Sequence, residues 1–118
     1  MNYDVLGVYL VDFKQNIGAE FSGRHYALIL SELSPKDGTL LVAPITSKKS
    51  GKKYKGGFTI DCKKYQKNPS CDKAFIEIRK IREIDKSRIY GKKIYDLDCE
   101  DLQKLNKSMH SIFKFLHT

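Results

Sequence analysis

The residues best suited to chemistry fall into two groups. Arg24 stands behind Gly23 at the head of an apolar run, Arg24-His-Tyr-Ala-Leu-Ile-Leu30, while Thr46, Ser47, Lys48 and Lys49 close a second apolar run that begins at Thr39. A guanidinium can grip a phosphate through two parallel hydrogen bonds and keeps its charge at any physiological pH. Hydroxyls can donate to a non-bridging phosphate oxygen, and neighbouring lysines add charge stabilisation. The two groups together suit phosphate handling. Each also has a plainer role: Arg24 as a surface residue paired with Glu20, Thr46 and Ser47 as residues that turn the chain.

Other side chains add less. Strand alternation places Tyr26 on the face of Arg24 and His25 on the other, and a lone histidine is more often structural than catalytic. Arg79 and Lys80 come late in a third apolar run, where alternation aims them at opposite faces, one lining a groove and one solvated. His110 lies near the apolar stripe of a C-terminal helix and His117 at its end; both read as structural or idle. The sequence has no Gly-x-Ser-x-Gly context, no phosphate loop, no paired-carboxylate spacing and no His/Cys cluster with metal-ligand spacing. Neither a metal nor a cofactor is expected.

Positioning these groups calls for β-structure. Gly7–Phe13, Arg24–Leu30, Leu40–Ile45 and Phe58–Ile60 predict strands from their β-branched and aromatic content or their alternation. Ala74–Ile81 predicts another, Arg82–Arg88 a turn favoured by Asp85 and Ser87, and Lys92–Tyr95 a short edge strand guarded by lysine. Gln15–Gly23 is aperiodic and reads as a loop; Ser47–Gly57 reads as an exposed lysine loop, and Asp61–Asp72 as a polar loop broken at Asn68-Pro69. Asp98 predicts a helix N-cap, with Asp101 approximating a capping box. Leu102, Leu105, Met109, Ile112, Phe113 and Leu116 then form one helical stripe. The start of one hairpin strand lies beside the end of the next, so Arg24 should meet Thr46 and Ser47 at one edge. The expected fold is mainly β: a small antiparallel sheet curled on itself and covered by the C-terminal helix.

At 118 residues the chain reads as one domain, residues 1–118. No apolar run approaches the roughly 20 residues of a membrane helix, and Met1–Gly7 lacks the pattern of a signal peptide. Cys62, Cys71 and Cys99 are odd in number and read as free thiols of a cytoplasmic protein. Charge is unevenly placed. Residues 46–93 carry sixteen Lys/Arg against five Asp/Glu, an excess of eleven that accounts for all of the net +8. Five lysines (Lys48, Lys49, Lys52, Lys53 and Lys55) lie within eight residues. Concentrated positive charge attracts polyanions by releasing counterions, although a lysine loop can also be simply solvated. Tyr54, Phe58 and Tyr65 are interleaved with it and could stack on unpaired bases, at least one of them belonging instead to the core. The residues alone support a basic nucleic-acid-binding domain with a phosphate-handling edge.

The series Gly7-Val-Tyr-Leu-Val-Asp-Phe13, Gly18-Ala-Glu-Phe-Ser-Gly-Arg24, Leu41-Val-Ala-Pro-Ile-Thr-Ser47 and Ile81-Arg-Glu-Ile-Asp-Lys-Ser-Arg88 resembles the MazF/PemK/Kid family of bacterial toxin ribonucleases. This resemblance implies a small SH3-like antiparallel β-barrel with a C-terminal α-helix. It also implies metal-independent cleavage of single-stranded RNA, in which the ribose 2′-hydroxyl attacks the adjacent phosphate and leaves a cyclic phosphate and a 5′-hydroxyl. The family's loop arginine matches Arg24 and its post-strand threonine matches Thr46. The chain departs from the family in having His25 where proline is usual, and Arg79 and Lys80 where acidic or amide residues are usual. Pro44-Ile-Thr-Ser-Lys-Lys49 also resembles a motif of the ToxN and AbiQ ribonucleases, which adds Ser47 and Lys49 to the site. The implied partners are single-stranded RNA, an antitoxin that is either a protein or a small repeat RNA, and a second copy in a homodimer or toxin–antitoxin hetero-oligomer. On this reading Arg24, Thr46 and Ser47 are the catalytic set. Lys48, Lys49, Lys53, Arg79 and Lys80 track the RNA backbone, and Tyr54 or Phe58 stacks a base. Two other readings remain: a non-catalytic nucleic-acid-binding module, and a DNA-gyrase poison on the same barrel.

Overall fold

The computed structural model describes residues 2–14 and 23–116, so most of the expected loop over 15–23, Glu20 and His117 lie outside the described residues. Among the described residues seven antiparallel strands and one α-helix follow in chain order: β1 Gly7–Asp12, β2 Arg24–Ser31, β3 Thr39–Ser47, β4 Phe58–Asp61, β5 Lys73–Ile76, β6 Arg82–Asp85, β7 Ile89–Asp96 and α1 Cys99–Ile112. The sheet runs β4-β5-β3-β2-β1-β7, with β6 also on β3. It rolls without closing, since β4 and β7 stand at opposite ends and do not pair.

Alternation along β2 explains the two cores. Leu28 packs on one face with Ile45, Ile76, Ile78, Leu97 and Leu105, while Ala27 and Ile29 pack on the other with Val11, Phe13, Val42 and Ile84. The first core is sealed by α1, whose Leu102, Met109 and Ile112, with Phe113 just past its end, are partly buried against it. Leu116, assigned to the same stripe, lies beyond the helix and is 40% exposed.

The central strand β3 produces the first departure from the sequence reading. Its edge is served twice, by β6 at Thr39–Val42 and by β5 at Ile45–Ser47. Between them sits Pro44, whose carbonyl accepts from Glu77 N–H at 2.8 Å but which has no N–H to return. A continuous strand over Ala74–Ile81 is therefore impossible on that edge. The chain leaves the extended conformation at Glu77 (φ −85°, ψ 80°) and makes a 3₁₀ turn over Ile78–Lys80. The expected turn over Arg82–Arg88 is correspondingly a strand, β6, followed by a 3₁₀ turn, Lys86–Arg88. Asp85 caps that turn by accepting from Ser87 N–H at 2.9 Å.

The edge strand β7 runs eight residues, twice the expected Lys92–Tyr95. Its pairing with β1 jumps from Val8↔Tyr95 to Leu10↔Tyr90, and Gly91 takes φ +71° within the bulge. The capping box also differs. Asp98 accepts from Asp101 N–H at 2.9 Å, but the reciprocal bond is made by Tyr65, whose hydroxyl accepts from Asp98 N–H at 3.0 Å and donates to the buried Asp101 carboxylate. A short 3₁₀ turn, Cys62–Lys64, delivers Tyr65 to that place from within the expected Asp61–Asp72 loop.

Candidate functional site

Strand divergence builds the site. β2 and β3 pair as far as Ala27↔Pro44, and then β5 takes over the end of β3 at Ile45–Ser47. The wedge left between the start of β2 and the end of β3 is a cavity of about 220 Å³, lined by Arg24, His25, Tyr26, Thr46 and Ser47 and by Gln66 and Cys71 from the segment between β4 and β5. Arg24 and the hydroxyl pair thus share one cleft, as hairpin geometry requires.

Arg24 is exposed, with its guanidinium carbon 4.6 Å above the ring of Tyr90 on β7. It makes no ion pair among the described residues. Gly23, at φ +80°, closes the approach to it: Gly23 N–H donates to Lys14 O and Phe13 N–H to Gly23 O, both at 2.8 Å. His25 sits tilted against Phe13 at 6.4 Å, whereas Tyr26 packs with the other core, so the alternation argument holds for this pair.

Thr46 is a ridge. It also lines a second cleft of about 330 Å³ with Lys52, Lys53, Tyr54, Lys55, Glu77, Arg79 and Lys80. The 3₁₀ turn brings Arg79 and Lys80 into this same cleft, which corrects the expectation that they face opposite ways. Arg79 N–H donates to Gly56 O at 2.8 Å, and a Cβ at Gly56 would lie 2.4 Å from Arg79 Cδ, so glycine there makes room for the arginine. Lys80 Nζ is 3.4 Å from Glu77 Oε2.

The remaining residues scatter. Lys48 and Lys49 line a third hollow with Thr59 and Lys73, where Lys48 Nζ donates to Thr59 Oγ1 at 2.7 Å. Tyr54 anchors the lysine loop: its hydroxyl accepts from Lys49 N–H at 3.0 Å and donates to Ser47 O at 3.1 Å, and its ring lies 5.3 Å from Phe75. Phe58 is 8% exposed within the helix-side core, so no base can stack on it; it shares the buried face of the short β4 with Ile60, and that overrides its place beside the lysines. Tyr65 is likewise occupied, stacked on Tyr95 at 4.4 Å.

Three features escaped the sequence reading. Glu77 is 6% exposed yet lines the basic cleft; its only sequence signal is a single acid between two isoleucines. Gln66 reaches the mouth of the first cavity. Cys62 and Cys71 meet with Sγ atoms 3.6 Å apart, and burial, helped by the hydrogen bond to Cys71, pushes the Cys62 thiol up to about 12. Among the described residues no three His, Cys, Asp or Glu side chains converge as a metal would require. No described helix is long and apolar enough to cross a membrane.

An open antiparallel sheet with a terminal helix and a cationic cleft at the mouth of its central hairpin defines a class of small, basic β-proteins. Residues 5–113 match the family described as PemK-like, MazF-like toxin of type II toxin–antitoxin system, and the chain belongs to that family. Among solved structures it is similar to MazF from Deinococcus radiodurans (TM-score 0.72, 20% identity, 96% of this chain and 97% of that one). It is also similar to the Mycobacterium tuberculosis toxin MazF-mt6 (TM-score 0.67, 16% identity, 94% and 99% covered). A third is a mycobacterial endoribonuclease in complex with its cognate antitoxin (TM-score 0.63, 14% identity, 96% of each chain covered). No curated protein matches the sequence.

Proposed function

We propose that this toxin is a single-domain endoribonuclease that cleaves single-stranded RNA in the cytoplasm without a metal. The observation that carries the reading is the meeting of Arg24 with Thr46 and Ser47 in one cleft, which shares Thr46 with a second cleft lined by four lysines and an arginine. Attack by a ribose 2′-hydroxyl asks the protein to hold the phosphate in line and to stabilise charge on its equatorial oxygens. Arg24 supplies a fixed positive fork, and Thr46 and Ser47 supply donors. Lys53, Arg79 and Lys80 guide the backbone on the far side of the ridge, and Lys48 and Lys49 extend the positive surface beyond it. A protein antitoxin that covers the cleft neutralises the toxin, in keeping with the type II family description and with the solved complex of a similar endoribonuclease with its antitoxin.

The test is incubation of the purified protein, and of Arg24→Ala, with a long unstructured RNA in EDTA, followed by chemical mapping of fragment ends. The wild type is expected to yield discrete cuts with cyclic phosphate and 5′-hydroxyl ends, and the variant none. Its thermal midpoint should move little, because an exposed side chain seldom contributes more than about 0.5 kcal/mol. RNA that shifts on a gel but stays intact would instead make the protein a binding module.

A further inference from the structure

Resting on that reading, we propose that Glu77 is the general base that takes the proton from the attacking 2′-hydroxyl. The proposed reaction needs a proton acceptor, and neither arginine nor lysine in its charged form has a free lone pair to offer. Among the residues lining the two clefts that meet at Thr46, Glu77 is the sole carboxylate.

Its placement follows from register. Thr46 and Phe75 are cross-strand partners, so their side chains share a face, and Glu77 continues that face two residues after Phe75. Thr46 and Glu77 are therefore diagonal neighbours, about 7 Å apart at this kind of pairing. Both side chains line the second cleft, so a nucleotide held there lies beside hydroxyl and carboxylate alike. The Glu77 N–H bond to Pro44 O fixes the backbone, and the 3₁₀ turn that follows Glu77 brings Arg79 and Lys80 round to the same cleft. A carboxylate 6% exposed is costly to bury unless a cation accompanies it, and Lys80 does so at 3.4 Å.

The 2′-oxygen forms its bond to phosphorus as its proton passes to Glu77. The bond between phosphorus and O5′ then breaks, and O5′ takes a proton from solvent water at the open mouth of the cleft. Glu77 returns its proton to solvent. Lys80, 3.4 Å from the carboxylate, balances its charge as well as facing the RNA backbone.

Single-turnover cleavage of a normal RNA, and of the same RNA with sulfur replacing O5′ at the cut site, tests the assignment. The thiolate leaves without protonation, so it relieves the loss of an acid but not of a base. Glu77→Gln should slow both substrates by about 10²- to 10⁴-fold, the usual contribution of a positioned proton acceptor, with KM little changed. Glu77→Asp, which keeps the charge beside Lys80, should retain an intermediate rate and guards against a folding defect in the amide variant. Glu77→Gln cleaving within about threefold of wild type, a loss erased by the sulfur substrate, or the full loss appearing in His25→Ala instead would each overturn the proposal. A wild type that makes no cyclic phosphate ends would overturn the ribonuclease reading itself.

Discussion

At the scale of the residue, environment decides what each group can do. The Arg24 guanidinium lies over Tyr90, which orients a flexible side chain before any ligand arrives. Tyr90→Leu should lower cleavage by about two- to fivefold, because an exposed cation–π contact contributes roughly 0.5–1 kcal/mol, while the unfolding midpoint in urea changes little. Cys62 presents the opposite case, a thiol whose chemistry is suppressed. Burial first, and then its hydrogen bond to Cys71, raise it to about 12, so almost none of it is thiolate at pH 8. Iodoacetamide at pH 8 should label exposed Cys99 quickly and leave Cys62 unmodified until denaturant is added, read by peptide mass. Gly57 shows the limit of steric tolerance. A Cβ there would sit 1.9 Å from Ile76 O, so Gly57→Ala must push β4 from β5 and should destabilise the fold by about 1–3 kcal/mol in chemical denaturation.

At the scale of the element, the junction between the Cys62–Lys64 turn and the start of α1 holds the helix to the sheet. Tyr65 bonds both Asp98 and Asp101, and Lys64 pairs with Asp98, Glu100 and Asp101. Tyr65→Phe leaves Asp98 N–H and the buried Asp101 carboxylate short of a partner, a loss of about 1–3 kcal/mol by the usual cost of unsatisfied buried groups. The same junction makes stability depend on pH. The Asp101 N–H, and then Lys64, hold the Asp98 carboxyl below the usual carboxylate range. A depressed folded pKa contributes stability that is complete above the unfolded value near 3.9 and is lost as pH falls through the folded one. Asp98→Asn keeps the cap but not the charge. The stability gap between wild type and Asp98→Asn should therefore be wider at pH 7 than at pH 2.5, compared by urea unfolding.

At the scale of the whole molecule, the basic excess between residues 46 and 93 lines the cleft on one side of the Thr46 ridge and the neighbouring hollow, while among the described residues Arg24 alone supplies positive charge on the other side. Binding to single-stranded RNA should weaken with salt, the logarithmic slope growing by about 0.7 for each phosphate neutralised. Replacing Lys52, Lys53 and Lys55 with glutamine should flatten that slope by about 2, measured by fluorescence anisotropy across a salt series. An unchanged slope would place the RNA elsewhere. The sheet ends at β7, where Lys93 pairs with Asp4 and Asp96 at 2.7 and 2.9 Å, so charge stands at the free edge and discourages unselective strand addition.

Local pattern determined much of this protein. Alternation and β-branching marked β1 to β4, apolar periodicity and Asp98 marked α1, and hairpin geometry sufficed to bring Arg24 to Thr46 and Ser47, because each of these depends on near neighbours in the chain. The charge excess was equally legible, since it is a sum over residues. What only tertiary structure decided was which strands share an edge. Because β5 and β6 compete for one side of β3 around Pro44, the strand expected over Ala74–Ile81 broke into a turn that gathers Glu77, Arg79 and Lys80 at the cleft. Burial of Phe58 and the anchoring of Tyr54 and Tyr65 were settled in the same way, by partners distant in sequence or beyond strand periodicity. Periodicity reports the face a residue occupies on its own element, but the surface that covers that face belongs to the rest of the molecule.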